Sequence, residues 1–506
     1  MRPLRWRALF AGVLLLGVPG AFGAPGALDE RLLAPLQRAV VSPTLPRGND
    51  GALAALRQLR DPALQPLFAR LTSAPSPILR RHGVMGLAEL ESPARLRAVL
   101  LSKIESSEER SSIIGEALRS DLLVEEEVRA LLQSEGLAPF VEVVLRGWLA
   151  SRGLDSGNGG TDRLKALAED PSPVVAISAL LLLCNGGDTG AGERLAALLE
   201  GLPAPEREPA VLVLSEQVRR DKVTGCDAAM ARMFEAGAGD PGVQREALRA
   251  WLRVDAASAA PVWGEAYARA DDLSDRLRLA LVALEGSPGA PAAMFQPLVG
   301  EGQSALVRAI GAMGRAVASR TGTVEAAREL AEQRYGPADA WMIERLEEID
   351  PDAARAGWVG ILEAAGGRSS DQPVTETLPM AVKRLLTHNE EDRVMAAVQT
   401  AARRGDETLC QAILTGFLRV EPAPAWASEP LITWPGRTTA ALAALVGARG
   451  DPKFADDPTR LEALTEAAVG RSGLPDAMRA QAAWLAARLR GQGSEALARL
   501  LGELGR

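Results

Sequence analysis

Asp240-Pro241-Gly242-Val243-Gln244-Arg245-Glu246-Ala247-Leu248-Arg249-Ala250-Trp251-Leu252 reads as one helix with its start written in. Aspartate at the cap accepts a hydrogen bond from an orphan backbone N–H. Proline in the next position gives up no donor the helix needs and presets φ. The stretch recurs in outline. Asp-Pro also occurs at Asp61-Pro62, Asp170-Pro171, Asp350-Pro351, Asp451-Pro452 and Asp457-Pro458. A leucine-ended helical stretch returns at Leu87, Leu118, Leu149, Leu183, Leu214, Leu252 and Leu284, at intervals of 31, 31, 34, 31, 38 and 32 residues. The residue four before each is Gly83, Ile114, Leu145, Ala179, Ala210, Leu248 or Ala280, never polar, so each pair shares a buried face. A period of that length built on helices predicts a stacked array.

Composition agrees. Of 506 residues 47% are hydrophobic and 24% charged, which excludes wholesale disorder. Aromatics are scarce, and the apolar mass is mostly Ala, Leu and Val; Ala and Leu are strong helix formers that allow close helix approach. A chain this long would usually split into several domains, but a repeat array grows lengthwise without that limit.

The first residues read as an address. Arg2, Arg5 and Arg7 precede an apolar run from Ala8 to Val18, then Pro19 and the small-residue stretch Ala21-Phe22-Gly23-Ala24. This predicts a secretory signal peptide over 1–23, in preference to a retained anchor, because the run is short and Pro19 breaks it. Its removal would shift the formal charge from -8 to about -11. An acidic exported protein suits neither nucleic acid nor anionic lipid. No later run approaches the ~20 apolar residues of a membrane helix, so no membrane span is expected after cleavage. Cys184, Cys226 and Cys410 are an odd set. Cys184 ends an apolar helix and is expected to be buried. Cys226, in a turn-like Thr224-Gly225-Cys226-Asp227 stretch, is expected to be exposed. A Cys184–Cys226 bridge between adjacent repeats is conceivable from their positions, without sequence support.

Versions of the opening unit stand at Pro77-Ile78-Leu79-Arg80-Arg81-His82-Gly83, at Asp170-Pro171-Ser172-Pro173-Val174-Val175 and, degenerate, at Arg276-Leu277-Arg278-Leu279-Ala280-Leu281. The pattern Asp-Pro-x-Val-Arg-x-x-Ala-x-x-x-Leu resembles the second helix of HEAT repeats. With a ~32-residue spacing it is most similar to short HEAT-like repeats of the bilin-lyase type. The resemblance covers residues 50 to 350 and departs at Ala176, where the pattern has Arg, and at Pro209, inside a helix pattern. It implies an all-α fold, a right-handed α-solenoid of stacked antiparallel helix pairs. Tetratricopeptide repeats fit badly, since the chain has two tyrosines.

The array is expected over 24–365, followed by a loop or hinge at 366–378 and further helical repeats over 379–506. That last part holds a Pro/Trp-rich loop at 421–436 and a C-terminal helix acting as the polar-faced cap an open array requires.

Catalytic signatures fail. His82 and His388 are the only histidines and read as surface or turn residues. His-Glu-x-x-His, Cys-x-x-Cys and Gly-x-Ser-x-Gly do not occur. Asp188-Thr189-Gly190-Ala191 spells an aspartic-protease motif, but lies between helix patterns without the second aspartate such a site needs. The Asp155–Asp162 run lacks calcium-loop spacing and reads as an inter-repeat loop. Glu125-Glu126-Glu127 and the Glu344–Asp352 cluster read as solvated helix faces. No catalytic, cofactor-binding or metal-binding residue is assigned.

Two features suggest binding. Arg80, Arg245, Arg276 and Arg308 fall near the starts of successive second helices. In HEAT-like arrays that helix lines the concave surface, so the resemblance implies a partly basic groove; the competing reading has each arginine bridging to an aspartate of the next repeat. Trp426 and Trp434 are either interface anchors or cover a break in the array. The sequence thus points to an exported, periplasmic or extracellular, non-enzymatic scaffold or adaptor for protein partners. An enzyme on the same scaffold (lyase or hydrolase) and a structural subunit of an envelope assembly are the alternatives.

Overall fold

The computed structural model describes residues 27–505 apart from 42–47, 93, 95, 99, 101–103, 105, 121, 135–136, 155–159, 222, 238, 287–288, 334–341, 345, 348–349, 369–376, 421–433, 452 and 471–472. The expected signal peptide, most of the hinge and Trp426 lie outside the described residues. The described residues are helical, with no strand among them.

The first helices are α1 (Glu30–Val41), α2 (Gly48–Gln58), α3 (Gln65–Leu71), α4 (Pro77–Leu90), α5 (Ser107–Arg119), α6 (Glu125–Leu132), α7 (Pro139–Ser151), α8 (Gly160–Leu167) and α9 (Pro173–Asn185). Next come α10 (Thr189–Gly201), α11 (Ala204–Asp221), α12 (Asp227–Ala236), α13 (Pro241–Val254), α14 (Ala256–Arg269), α15 (Leu273–Glu285), α16 (Ala305–Ser319) and α17 (Thr323–Gln333). The last are α18 (Pro351–Gly366), α19 (Leu378–Thr387), α20 (Glu391–Arg403), α21 (Glu407–Phe417), α22 (Arg437–Gly450), α23 (Pro458–Val469), α24 (Asp476–Leu489) and α25 (Gly493–Glu503). A 3-10 segment, Ala292–Val299, stands between α15 and α16.

The Asp-Pro starts work by the expected chemistry where a full helix follows. Asp240 accepts from the backbone N–H groups of Gly242 and Val243, Asp350 from Ala353, and Asp457 from Thr459 and Arg460. Asp61 caps only the 3-10 turn Pro62–Leu64, and Asp170 and Asp451 each accept from the residue two positions on. Pro209 does not end its helix; α11 runs through it.

Among the described residues, substantial packing joins helices that are close in sequence, with α7 against α11 the widest step. One exception changes the architecture. α1 and α2 lie against α24, α1 also touches α23 and α25, and α25 reaches α3. The contacts therefore run in a closed circuit. Leu32, Leu36, Leu53 and Leu56 from the first two helices share one buried core with Ala483, Trp484 and Leu500 from the last two. Each fully buried leucine or aromatic contributes about 1.5–3 kcal/mol.

Polar groups fix the register of this seam. The Asp61 carboxylate accepts from the Trp484 indole N–H at 2.7 Å, pairs with Arg488, and still caps Ala63 N at 3.0 Å. Gln481 donates to Ala55 O at 2.5 Å. Gln492 accepts from Asp29 N at 3.1 Å and donates to Ala27 O at 2.7 Å, while Glu495 accepts from Leu28 N at 3.0 Å. Arg31 hydrogen-bonds Asp29 and holds its carboxyl below the usual range; Arg490 adds a second pairing at 3.3 Å. In α25, Ala496 and Leu500 are buried and the helix rests on α1, with Ser494 and Arg499 exposed on its outer side.

Close helix approach relies on a repeated Gly-x-Met-Gly in α4 and α16, Gly83-Val84-Met85-Gly86 and Gly311-Ala312-Met313-Gly314. A Cβ on Gly83 would stand 2.5 Å from Thr72 N and 2.7 Å from Leu71 C, and one on Gly86 2.5 Å from Phe68 Cγ. In the second copy Gly311 meets Leu298 Cβ at 2.6 Å and Gly314 meets the Phe295 ring. Each glycine pair thus seats the aromatic element that precedes it.

Two outcomes follow from this packing. Gly83→Ala forces α4 off the α3 backbone and lowers unfolding free energy by about 2–3 kcal/mol in denaturant titrations. Gly264→Ala, in mid-helix with open space around it, is neutral or stabilising by up to about 1 kcal/mol. At the seam, Asp61→Ala strands the buried Trp484 N–H and costs about 2–3 kcal/mol, while Asp61→Asn, which keeps an acceptor, costs less than half as much. Equal melting of Asp61→Ala and wild type would show that this bond carries no stability.

Candidate functional site

The flagged arginines resolve into a structural device. Arg80, Arg276 and Arg308 are each the fourth residue of their helix, as are Arg110, Arg207 and Arg479. From that position the guanidinium reaches back over the helix start to a carbonyl that ends the preceding turn or helix. Arg80 donates to Ala74 O and Pro75 O at 3.0 and 2.8 Å, Arg110 to Ile104 O at 2.6 Å and Arg207 to Leu202 O at 2.8 Å. Arg276 donates to Ala270 O at 2.7 Å, Arg308 to Gln303 O at 2.7 Å and Arg479 to Ala468 O at 3.1 Å. Carbonyls at a helix C-terminus carry the negative end of the dipole, so a cation is favoured there. Arg245 is one position later and pairs instead with Glu246 at 3.3 Å. Bridging to a neighbouring repeat is seen at Arg80, which grips Glu109 of α5 at 2.6 Å. The sequence signal was available in part: an arginine stands three residues past the start of these six helices, and also of α8, where Arg163 binds Glu142 instead.

Trp434 is half-buried and packs on the common core at the start of α22. Asp188 of the protease-like motif is the N-cap of α10 and accepts from Gly190 N at 3.0 Å. In the acidic runs, Glu127 is buried with Arg97 at 3.3 Å, and Glu344 and Glu347 hold Arg384 at 2.6 and 3.1 Å. Glu127 is thus internal where the sequence predicted a solvated face, while Glu125 and Glu126 are exposed and the Glu344 side chain is 45% exposed, as expected.

His82 corrects the expectation of a surface residue. It is 2% exposed, and its Nδ1 lies 3.2 Å from Arg57 Nη1. Arg57, itself buried, forks onto Glu89 at 2.5 Å and reaches Glu116 at 2.7 Å, so α2, α4 and α5 are joined through one guanidinium. His388 does occupy a turn, as the C-cap of α19, with Nε2 3.9 Å from Glu347. A second buried cluster joins α7 to α8. Burial disfavours the Glu142 carboxylate, but hydrogen bonds from Arg163 and Arg146 outweigh it and hold the group below its usual range.

Three clefts lie at seams between helix pairs. The first, about 380 Å³, is lined by Arg146, Leu154, Leu164, Leu183 and Asp188; the second, about 240 Å³, by Val218, Leu252, Arg253, Ala256 and Glu285. The third, about 340 Å³, has an apolar floor of Val359, Leu362, Ala397 and Leu409. The charges at its rim are engaged, Arg393 with Glu363 at 3.5 Å and Arg404 with Gly366 O at 2.7 Å. Among the described residues no three His, Cys, Asp or Glu side chains are grouped to hold a metal, and no helix is long and apolar enough to cross a membrane.

Cys226 departs from the expected exposure: it is buried, as are Cys184 and Cys410. Cys226 and Cys184 share one buried apolar cluster.

Removing a carbonyl-binding guanidinium costs a charge-assisted hydrogen bond, so Arg276→Gln and Arg308→Gln each lose about 1–2 kcal/mol in urea unfolding with an unchanged slope. Arg245→Gln, which gives up only its ion pair, loses less than either. Compared with known proteins, the chain matches no protein-family model and no curated protein.

Proposed function

We propose that this chain is an exported, non-enzymatic scaffold or adaptor that binds protein partners along a right-handed α-solenoid of HEAT-like helix pairs, its signal peptide over 1–23 removed, in a periplasmic or extracellular space. The observation that carries the reading is the packing order. Helices contact their near neighbours in sequence until the first and last meet, an arrangement that keeps a long surface available instead of folding it into one interior.

Where such a surface would engage a partner is suggested by the large apolar side chains left in water. Of the five such residues among those described, Ile78, Phe140 and Leu273 are 39%, 46% and 58% exposed and are each the first or second residue of their helix, while Val124 precedes α6 and Leu212 lies within α11. Helices α4, α7 and α15 are second helices of their pairs, so in a solenoid their starts share one rim. Apolar anchors spaced along a polar rim are the usual source of interface affinity.

The test is crosslinking and co-purification of the tagged mature protein from its native envelope fraction, beside an Ile78→Ser, Phe140→Ser, Leu273→Ser variant. A discrete partner is expected with wild type, and its recovery should fall at least about tenfold in the variant, the equivalent of about 1.4 kcal/mol. A partner retained by the variant removes the rim from the proposal, and absence of any partner removes the scaffold reading.

A further inference from the structure

Cys184 is the penultimate residue of α9, and Cys226 is the N-cap of α12, with two helices between them in sequence. The fold nevertheless places them side by side. Gly225 turns with φ +78° and lies so close to α9 that a Cβ on it would stand 3.4 Å from Cys184 O. Gly192 of α10 opens the same corner: a Cβ there would sit 3.8 Å from Gly225 O and 4.0 Å from Cys184 Sγ. Both thiols are sealed from solvent, at 4% and 1% exposure.

We propose that Cys184 and Cys226 form a redox couple that closes to a disulfide, tying the end of α9 to the start of α12. The roles of the two sulfurs are unequal. The neighbouring Cys226 thiol favours the Cys184 thiolate, while Cys184 and burial push the Cys226 thiol up. Cys184 is therefore the attacking sulfur. With an external disulfide as oxidant, the Cys184 thiolate attacks one of its sulfurs, forming a mixed disulfide and releasing one external thiolate. Cys226 then loses its proton and attacks the Cys184 sulfur, releasing the second external thiolate. Two protein thiols are oxidised by two electrons, and the external disulfide is reduced to two thiols, which take up the two protons. Entry requires opening of the turn at Gly225, so the exchange is slow. The pairing rests on local geometry and is independent of the scaffold reading.

The full chain is exposed to oxidised glutathione, denatured, alkylated, and weighed intact. Cys410 is the internal reference: it is buried alone on α21, its thiol pushed up to about 12 by burial and by nearby Asp406 and Glu407. The expected product carries one alkyl group where the reduced protein carries three, with a 184–226 crosslinked peptide after digestion. Its Tm rises by a few degrees and returns on reduction. Three alkyl groups after prolonged exposure, a glutathione adduct in place of the bridge, or a bridge involving Cys410 would each overturn the proposal. The Cys410→Ala variant must form the bridge unchanged, and the Cys184→Ala variant must show no redox-dependent shift in Tm.

Discussion

The architecture depends on one carboxylate placed where the first and last helices meet. Asp61 is 3% exposed and accepts from Trp484 while pairing with Arg488, more than four hundred positions away in the chain. A buried carboxylate is tolerable only when its oxygens are satisfied, so the bond enforces one register between the two ends. Around it, the leucines of α1 and α2 meet α24 in the same core that runs through the rest of the chain.

Within the circuit, two local devices recur and divide the work. The arginine at the fourth residue of six helices neutralises the carbonyl end of the turn or helix before it, which fixes the corner between partners. The Gly-x-Met-Gly stretches of α4 and α16 fix the spacing, because only a missing Cβ lets the preceding aromatic element come so near. Corner and spacing together determine how each pair leans on the next. Buried ion clusters then join successive units: Arg57 with Glu89 and Glu116, Glu142 with Arg146 and Arg163, Arg368 with Asp406.

Much of this was legible in the sequence, and the missing parts share a cause. Helix starts at Asp240, Asp350 and Asp457 and the periodic apolar face are local, and local chemistry decides them. The closure was missed although α24 carries a mark of it: residues 480–487 are buried on every side, where a helix at the end of an array keeps a polar face. The burial of His82 and Cys226 was misread because their partners are distant in the chain. Both stand in polar or turn-like surroundings along the chain, yet are covered by elements from other units. The arginines were left between a basic groove and a bridge to the next repeat, because the carbonyls they serve lie outside the helices that carry them. Glu127 was misjudged because its arginine partner lies outside its own helix.

The seam also has a consequence for synthesis. Helices α1 and α2 are made about four hundred residues before α24, which supplies the surface that covers Leu32, Leu36 and Leu53. In that interval the growing chain carries an uncovered apolar face, the type of surface that aggregates or engages chaperones. An array open at both ends could fold unit by unit as it emerged. Here α1 and α2 stay unfinished until α24 is complete, so the vulnerable interval lasts as long as it takes to make every helix between them.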